Sequence, residues 1–282
     1  MKKVTLFNEE LLGYIKEGQK EKQRFEDLSK DIQNISPQDS FPHFYIWSQA
    51  GLGKSHTVKE TFKKAGIKNF TLINGGLTMN GFINEIAVLA RSLKKNEHHY
   101  VYLEDCTGLL NKEEDVNIMK NVLRDEKCIS YHKNPSKILN DATAKQRDAL
   151  RYYMSDDNGI KIPTHQMIFI FTSNRKLPTQ DDLKRNRPID NDLYAIRSRV
   201  NPVDFYMKPT TMWGYITNII LNSTLLPKSI PLSVREEASL FLWENWDYMN
   251  SRSIREVERM LEKYTKYPKD YRTKWFNEFV KN

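Results

Sequence analysis

The chain has 282 residues, 39% of them hydrophobic and 28% charged, with a formal net charge of +8. That balance supports a packed core of one large domain, or a domain with a small satellite, and argues against wholesale disorder. No apolar run approaches the roughly 20 residues of a membrane span, and the start of the chain carries no secretory signal.

Cys106 and Cys128 lack a CxxC spacing and the six histidines are scattered, so neither a disulfide framework nor a zinc cage is expected. A reducing cytoplasm follows as the expected location, with no membrane partner. The positive charge is spread along the chain rather than gathered in one tail, which suits solubility and, less specifically, a polyanion.

In chain order, the 3.6-residue spacing of Phe7, Leu11 and Ile15, then of Phe25, Leu28 and Ile32, predicts a helix over 6–35. The polar stretch Lys16 to Arg24 between these stripes predicts an arm that packs only in part. Ser36-Pro37-Gln38-Asp39-Ser40 breaks the pattern. Short apolar runs then alternate with amphipathic segments. Strands are expected at Phe44–Trp47, Phe70–Ile73, Tyr100–Leu103, Met167–Thr172 and Val203–Tyr206, and helices at Lys54–Lys64, Met79–Leu93, Asp115–Leu123 and Asn191–Arg199. Such alternation predicts an α/β fold, a mainly parallel sheet covered on both faces. After Pro209 only helical periods remain: Met212–Leu221, Val234–Trp246, Ile254–Tyr264 and Tyr271–Phe279. The expected organisation is therefore an N-terminal helical arm (1–40), an αβα core (41–208) and a helical lid (209–282).

The most specific local signal is Ser48-Gln49-Ala50-Gly51-Leu52-Gly53-Lys54-Ser55. It follows an apolar strand and opens a helix, the context a phosphate-binding loop requires. Glycines permit a tight turn whose successive N–H groups face phosphate, and the helix N-terminus adds its positive dipole end. Lys54 would bridge the β- and γ-phosphates of ATP, and the Ser55 hydroxyl would take one Mg²⁺ position. Ser48 stands where this motif ordinarily begins with glycine.

Further on, Tyr100-Val101-Tyr102-Leu103 runs into Glu104-Asp105. Two carboxylates at the end of a buried strand call for a positive partner. Bound magnesium would be that partner, with Glu104 on a metal water and Asp105 polarising the attacking water. The apolar strand from Met167 ends in Thr172-Ser173-Asn174, whose amide can hold that water. Arg197 and Arg199 end a helix where a guanidinium can serve a neighbouring subunit's phosphates. Arg255, at the start of a lid helix, can reach back over the γ-phosphate.

These segments resemble the AAA+ ATPases over roughly residues 41–266: AGLGKS at 50–55, YVYLED at 100–105, IFIFTSN at 168–174, AIRSRV at 195–200 and SIREVERM at 253–260. The resemblance implies a five-stranded αβα core, a four-helix lid and Mg-ATP held between subunits of a ring or spiral homo-oligomer. It implies that Ala50, Gly51, Leu52, Gly53, Lys54, Ser55 and His56 contact ATP, with Arg255 as sensor 2. Asn174 resembles sensor 1 and Arg199 the arginine finger, with Arg197 a second candidate. Asp105 and Glu104 stand in the reverse of the family's usual order, which implies slower hydrolysis. The layout of 107–200 is similar to that of small phage-encoded AAA+ proteins. Superfamily 3 helicases share the Thr-Ser-Asn strand end but lack the helix that follows Arg255.

Three roles stay open from the residues. DNA metabolism (replication, helicase or clamp loading, transposition regulation) is suggested by Lys133, Lys137, Lys145, Arg147, Arg151 and Lys161 around an Asp156-Asp157-Asn158-Gly159 turn, and by bases interleaved with aromatics over Lys263–Trp275. A lid helix with core aromatics is the plainer reading of that last stretch. Asn80-Gly81-Phe82 suggests a protein client remodelled in the manner of MoxR. The inverted acidic pair suggests a slow, nucleotide-dependent scaffold.

Overall fold

The computed structural model describes residues 6–123, 127–132, 135–155, 159–185, 188–222 and 230–280. In chain order these form α1 (Glu9–Asn34), β1 (Phe44–Ser48), α2 (Lys54–Lys64), β2 (Phe70–Asn74), α3 (Met79–Ser92), β3 (His99–Glu104), α4 (Glu113–Val122), β4 (Cys128–Tyr131), α5 (Pro135–Asp141), α6 (Ala144–Tyr152), β5 (Ile160–Pro163), β6 (Met167–Ser173), α7 (Pro188–Arg197), β7 (Asn201–Phe205), α8 (Pro209–Asn222), α9 (Leu232–Glu244), α10 (Ile254–Lys266) and α11 (Tyr271–Phe279). Every element expected from periodicity is present, with bounds shifted by a few residues. At α7 and α8 the start lies three residues earlier, at Pro188 and Pro209; proline suits a first helical position because its missing N–H has no partner to lose there.

The chain divides into two compact units. Met1–Ile32, Gln49–Val58 and Phe205–Asn282 make one, and Gln33–Ser48 with Lys59–Asp204 the other.

In the second unit the sheet has the order β2-β3-β6-β1-β7, and β2, β3, β6 and β1 run parallel to their neighbours. Side chains alternate across it. Tyr45, Val101, Leu103, Phe169 and Phe171 join the core built with α3, α4 and α7. On the opposite face, Tyr100 and Tyr102 meet Phe62 of α2 at ring separations of 5.3 and 6.3 Å. Because both faces are covered, the central strand β6 is buried at every position. The result is a three-layer αβα arrangement around a mainly parallel five-stranded sheet, as the alternation of short apolar runs and amphipathic helices predicts.

The described residues between α4 and β6 carry elements that periodicity did not single out. β4 and β5 pair antiparallel, and α5 and α6 are inserted between them. Thr143 accepts from Gln146 N while its own N–H donates to the Gln146 side chain, a reciprocal cap that starts α6. On either side of the expected turn, Ser155 N donates to Gly159 O at 2.8 Å and Lys161 N to Tyr153 O at 3.0 Å. Lys133 and Asp156-Asp157-Asn158 lie outside the described residues. Asn80-Gly81-Phe82 occupies the first turn of α3, with Phe82 fully buried, so this pair presents no aromatic to a client.

His43, at the foot of β1, is 1% exposed and its Nδ1 accepts from Phe169 N at 3.1 Å. Burial, assisted by the Lys127 charge, pushes its pKa down from 6.5 to about 3. The unfolded chain therefore binds a proton below about pH 6.5 that the folded chain refuses. Stability falls as pH drops through that window, by about 2 kcal/mol at pH 5 from this group alone. Urea unfolding at pH 7.5 and pH 5 should show this loss in the parent and a smaller one in His43→Asn; equal losses would contradict it.

In the first unit α1 lies against α8. Gly18 and Gly214 approach main chain to main chain, where a methyl group on either would collide with the other helix. Phe25 stacks flat on Phe205 at 3.9 Å, and Asn218 Nδ2 donates to Ile15 O at 2.5 Å. Lys16 to Arg24 is otherwise largely exposed, as its polarity predicts. Trp213 and Trp275 are fully buried among the lid helices, each indole N–H on a carbonyl, of Ser239 and Met260 respectively. The interleaved bases and aromatics of 263–275 follow from that packing. Lys263 pairs with Glu278 at 2.6 Å, Arg272 with Glu237, and Tyr271 Oη donates to Glu237 at 2.6 Å.

Candidate functional site

In the first unit, Gly51 and Gly53 adopt φ of 74° and 93° between the end of β1 and the start of α2, values that favour glycine. Gly51 also lies against the Ser253 side chain, which leaves no room for a Cβ. Leu52 is fully buried, and Lys54 is 6% exposed with Nζ donating to Gln49 O at 3.2 Å. Thr57 N, on Gly53 O at 2.8 Å, closes the first turn of α2. The N–H groups at the head of such a helix have no partner within it and, with the dipole, favour an anion. Ser55 is half-buried there, while Ala50 and His56 are exposed.

Two lid elements reach the same loop. Ser253 caps α10 by accepting from Glu256 N, and Ile254 N donates to Gly51 O at 3.2 Å. From α8, Tyr215 Oη donates to Leu52 O at 3.0 Å. The first unit thus brings together the expected loop and the first turn of α10, where Arg255 is exposed.

In the second unit, Glu104, Thr172 and Ile46 stand in register across β3, β6 and β1. The carboxyl ends of these strands share one edge of the sheet, about 10 Å across two strand spacings. Glu104 is half-buried and accepts from Lys59 Nζ of α2 at 2.8 Å. Asp105 turns the chain out of β3 with a φ of 51°, tolerated by aspartate, its N–H on Thr172 O at 3.0 Å and its side chain exposed. Burial, then the Asp105 and Glu104 charges, push the Cys106 thiol up to about 12, which favours its protonated form.

The end of β6 is braced from β1 and from the turn after β3. Trp47 Nε1 donates to Asn174 O at 3.1 Å and Tyr45 Oη to Arg175 O at 2.8 Å. The Arg175 guanidinium donates to Leu110 O and Asn111 Oδ1 at 3.0 and 2.9 Å. The Asn174 side chain is left exposed at a fixed backbone position. Arg197, on α7, makes a two-pronged pair with Asp204 at 3.0 and 3.3 Å. Arg199 lies two residues past the end of α7, half-buried, and donates to Ala195 O and, at 3.4 Å, to Ser198 Oγ.

Lys59 and Tyr215 are among the polar contacts to these segments that sequence reasoning missed. Lys59 follows Lys54 by five residues on an ordinary basic helix, and Tyr215 sits in an apolar run that reads as core.

The Ser55 hydroxyl in the first unit and, separately, the Glu104 and Asp105 carboxylates in the second are hard oxygen donors of the kind magnesium takes. Among the described residues no group of three or more His, Cys, Asp or Glu could by itself hold a metal ion. No helix of the described residues is long and apolar enough to cross a membrane.

The model of a family described as a protein of unknown function (DUF815) matches residues 9–168. No curated protein matches the chain. Among solved structures it is similar to the RuvB Holliday junction branch migration motor of Thermotoga maritima, with 11% identity and a TM-score of 0.47 over 92% of this chain and 68% of that one. It is similar to AMPPCP-bound DnaA from Aquifex aeolicus, with 15% identity and a TM-score of 0.45 over 88% and 64%, and to Cdc6p from Pyrobaculum aerophilum, with 12% and 0.46 over 87% and 61%. The chain spans less than two thirds of the DnaA and Cdc6p chains. Likenesses at such identities and scores say nothing of what this chain binds or does.

Proposed function

From the premise that the chain belongs to the DUF815 family and has an AAA+ fold, we propose that it is a cytoplasmic ATPase that works as a homo-oligomeric ring or spiral on DNA. The single observation that supports this most is the loop at 50–55. Two left-handed glycines lead from a central parallel strand into a helix that opens on a buried lysine and a serine.

The arm, core and lid are its working parts. Ala50–His56 hold the phosphates, with Lys54 neutralising the β- and γ-groups. Ser55, Glu104 and Asp105 supply oxygens for magnesium. Mg-ATP supplies the transferable phosphoryl group and the metal's charge. Asp105 takes the proton of the attacking water, and Asn174 orients that water from its braced position. Arg199 is the trans-acting arginine, with Arg197, which pairs with Asp204, the second candidate. Arg255 senses the γ-phosphate from α10.

DNA as the partner is favoured by the insert, where Lys145, Arg151 and Lys161 are exposed, as is Tyr152 at 69%, with Arg91 over its ring at 5.4 Å. Cations with an accessible aromatic ring suit backbone tracking and base stacking. We expect the ATPase rate to rise with single- or double-stranded DNA and the rise to fade between about 50 and 200 mM salt. A rate indifferent to DNA at low salt would contradict this role. A slow nucleotide-dependent scaffold is the second reading, favoured by the Lys59–Glu104 ion pair, which competes with a metal for that carboxylate.

A further inference from the structure

The loop at 50–55 carries two carbonyl groups whose partners come from the lid. Gly51 O accepts from Ile254 N and Leu52 O from Tyr215 Oη, at 3.2 and 3.0 Å. A peptide unit is planar and trans, so its N–H points opposite to its C=O. Holding the Gly51 and Leu52 oxygens against the lid therefore turns the next N–H groups, those of Leu52 and Gly53, to the other side. Aligned successive N–H groups form an anion-binding nest. The peptide between Leu52 and Gly53 has glycine on one side and lies one residue from another, so little intrinsic stiffness keeps its orientation.

Tyr215 is built to hold it. Its side chain is 3% exposed and its ring stacks on Phe25 of α1 at 5.4 Å and 21°. Phe25 is itself flat against Phe205, and the close Gly18–Gly214 crossing sets α1 next to the residue that precedes Tyr215. Burial pushes the phenol pKa far up, so the hydroxyl remains a donor.

We propose that Tyr215 is a positioning residue of the phosphate loop, fixing the Gly53 N–H through the Leu52 carbonyl, and that α1 holds Tyr215 in place so that the N-terminal arm is part of the nucleotide site. This rests on the phosphate-loop reading of 50–55. The arm touches no nucleotide in this account; it acts through one phenol and one peptide plane.

The test compares the parent chain with Tyr215→Phe, Phe25→Leu and Lys54→Ala. Mg-ATP and ADP affinities are measured by calorimetry, and KM, kcat and the unfolding temperature without nucleotide alongside. Tyr215→Phe keeps the ring and its stacking and should weaken ATP and ADP alike by about tenfold, the scale of one hydrogen bond in an ordered site. KM should rise in step, with kcat and the nucleotide-free unfolding temperature little changed. Phe25→Leu retains the hydroxyl and should show a smaller loss of the same kind. Parent-like affinity in Tyr215→Phe overturns the proposal. So does an affinity loss that merely follows a lowered unfolding temperature and is recovered on cooling. Parent-like affinity in Lys54→Ala overturns the phosphate-loop reading instead.

Discussion

Asp105→Asn binds Mg-ATP as the parent does and loses turnover by about a hundredfold or more, the scale of general-base assistance. Three features make this substitution clean. The side chain is exposed at the carboxyl end of β3, so no core packing is disturbed. The backbone sits at a φ of 51°, which asparagine tolerates as readily as aspartate. Its N–H bond to Thr172 O, which keeps the turn after β3 in place, survives because it is main chain to main chain. What changes is the carboxylate charge, and with it the capacity to accept a proton and part of the oxygen set proposed for magnesium. Single-turnover hydrolysis of bound ATP reads the effect without confusion from binding. If Glu104→Gln stops turnover and Asp105→Asn does not, the base role passes to Glu104.

Lys54→Ala has the largest expected effect on binding. Its ammonium is buried at the loop and is held on Gln49 O, a neutral acceptor that a phosphate oxygen outcompetes as a partner for a cation. Loss of this charge-assisted contact should weaken Mg-ATP by about a hundredfold or more, equivalent to about 2.7 kcal/mol. The variant should still fold, since alanine is a strong helix former at the first position of α2. Calorimetry with a thermal-unfolding control separates lost affinity from lost fold.

Much of the fold was legible because its elements are strongly periodic. β6, apolar at five successive positions before Thr172, could only be an inner strand, and Tyr271–Phe279 emerges as α11 with the expected bounds. Strand order was not legible, since periodicity says which residues share a face and nothing of which strands are neighbours. The insert was under-read for a different reason. β4 and β5 have four residues each, too short to alternate convincingly, although the Thr143–Gln146 cap was present in the sequence as a start signal for α6.

For the candidate site, local chemistry was legible and long-range chemistry was not. Gly51, Gly53, Lys54 and Ser55 announce themselves because the motif is contiguous. Arg197 and Arg199 look alike in sequence; only the position of Asp204, seven residues beyond Arg197, distinguishes them. Lys59 opposite Glu104, Ser253 against Gly51 and Tyr215 on Leu52 join residues 45 to 202 positions apart. No spacing rule reaches that far, and each residue type is ordinary where it stands.

The central claim is that a triphosphate is cradled where β1 passes into α2. An experimental structure with magnesium and a non-hydrolysable ATP analogue tests it most directly. Phosphate density is expected against the main-chain N–H groups of 51–55, with Lys54 Nζ moved from Gln49 O onto a phosphate oxygen. Saturating analogue bound elsewhere, or a loop left empty with Lys54 still on Gln49, would contradict it.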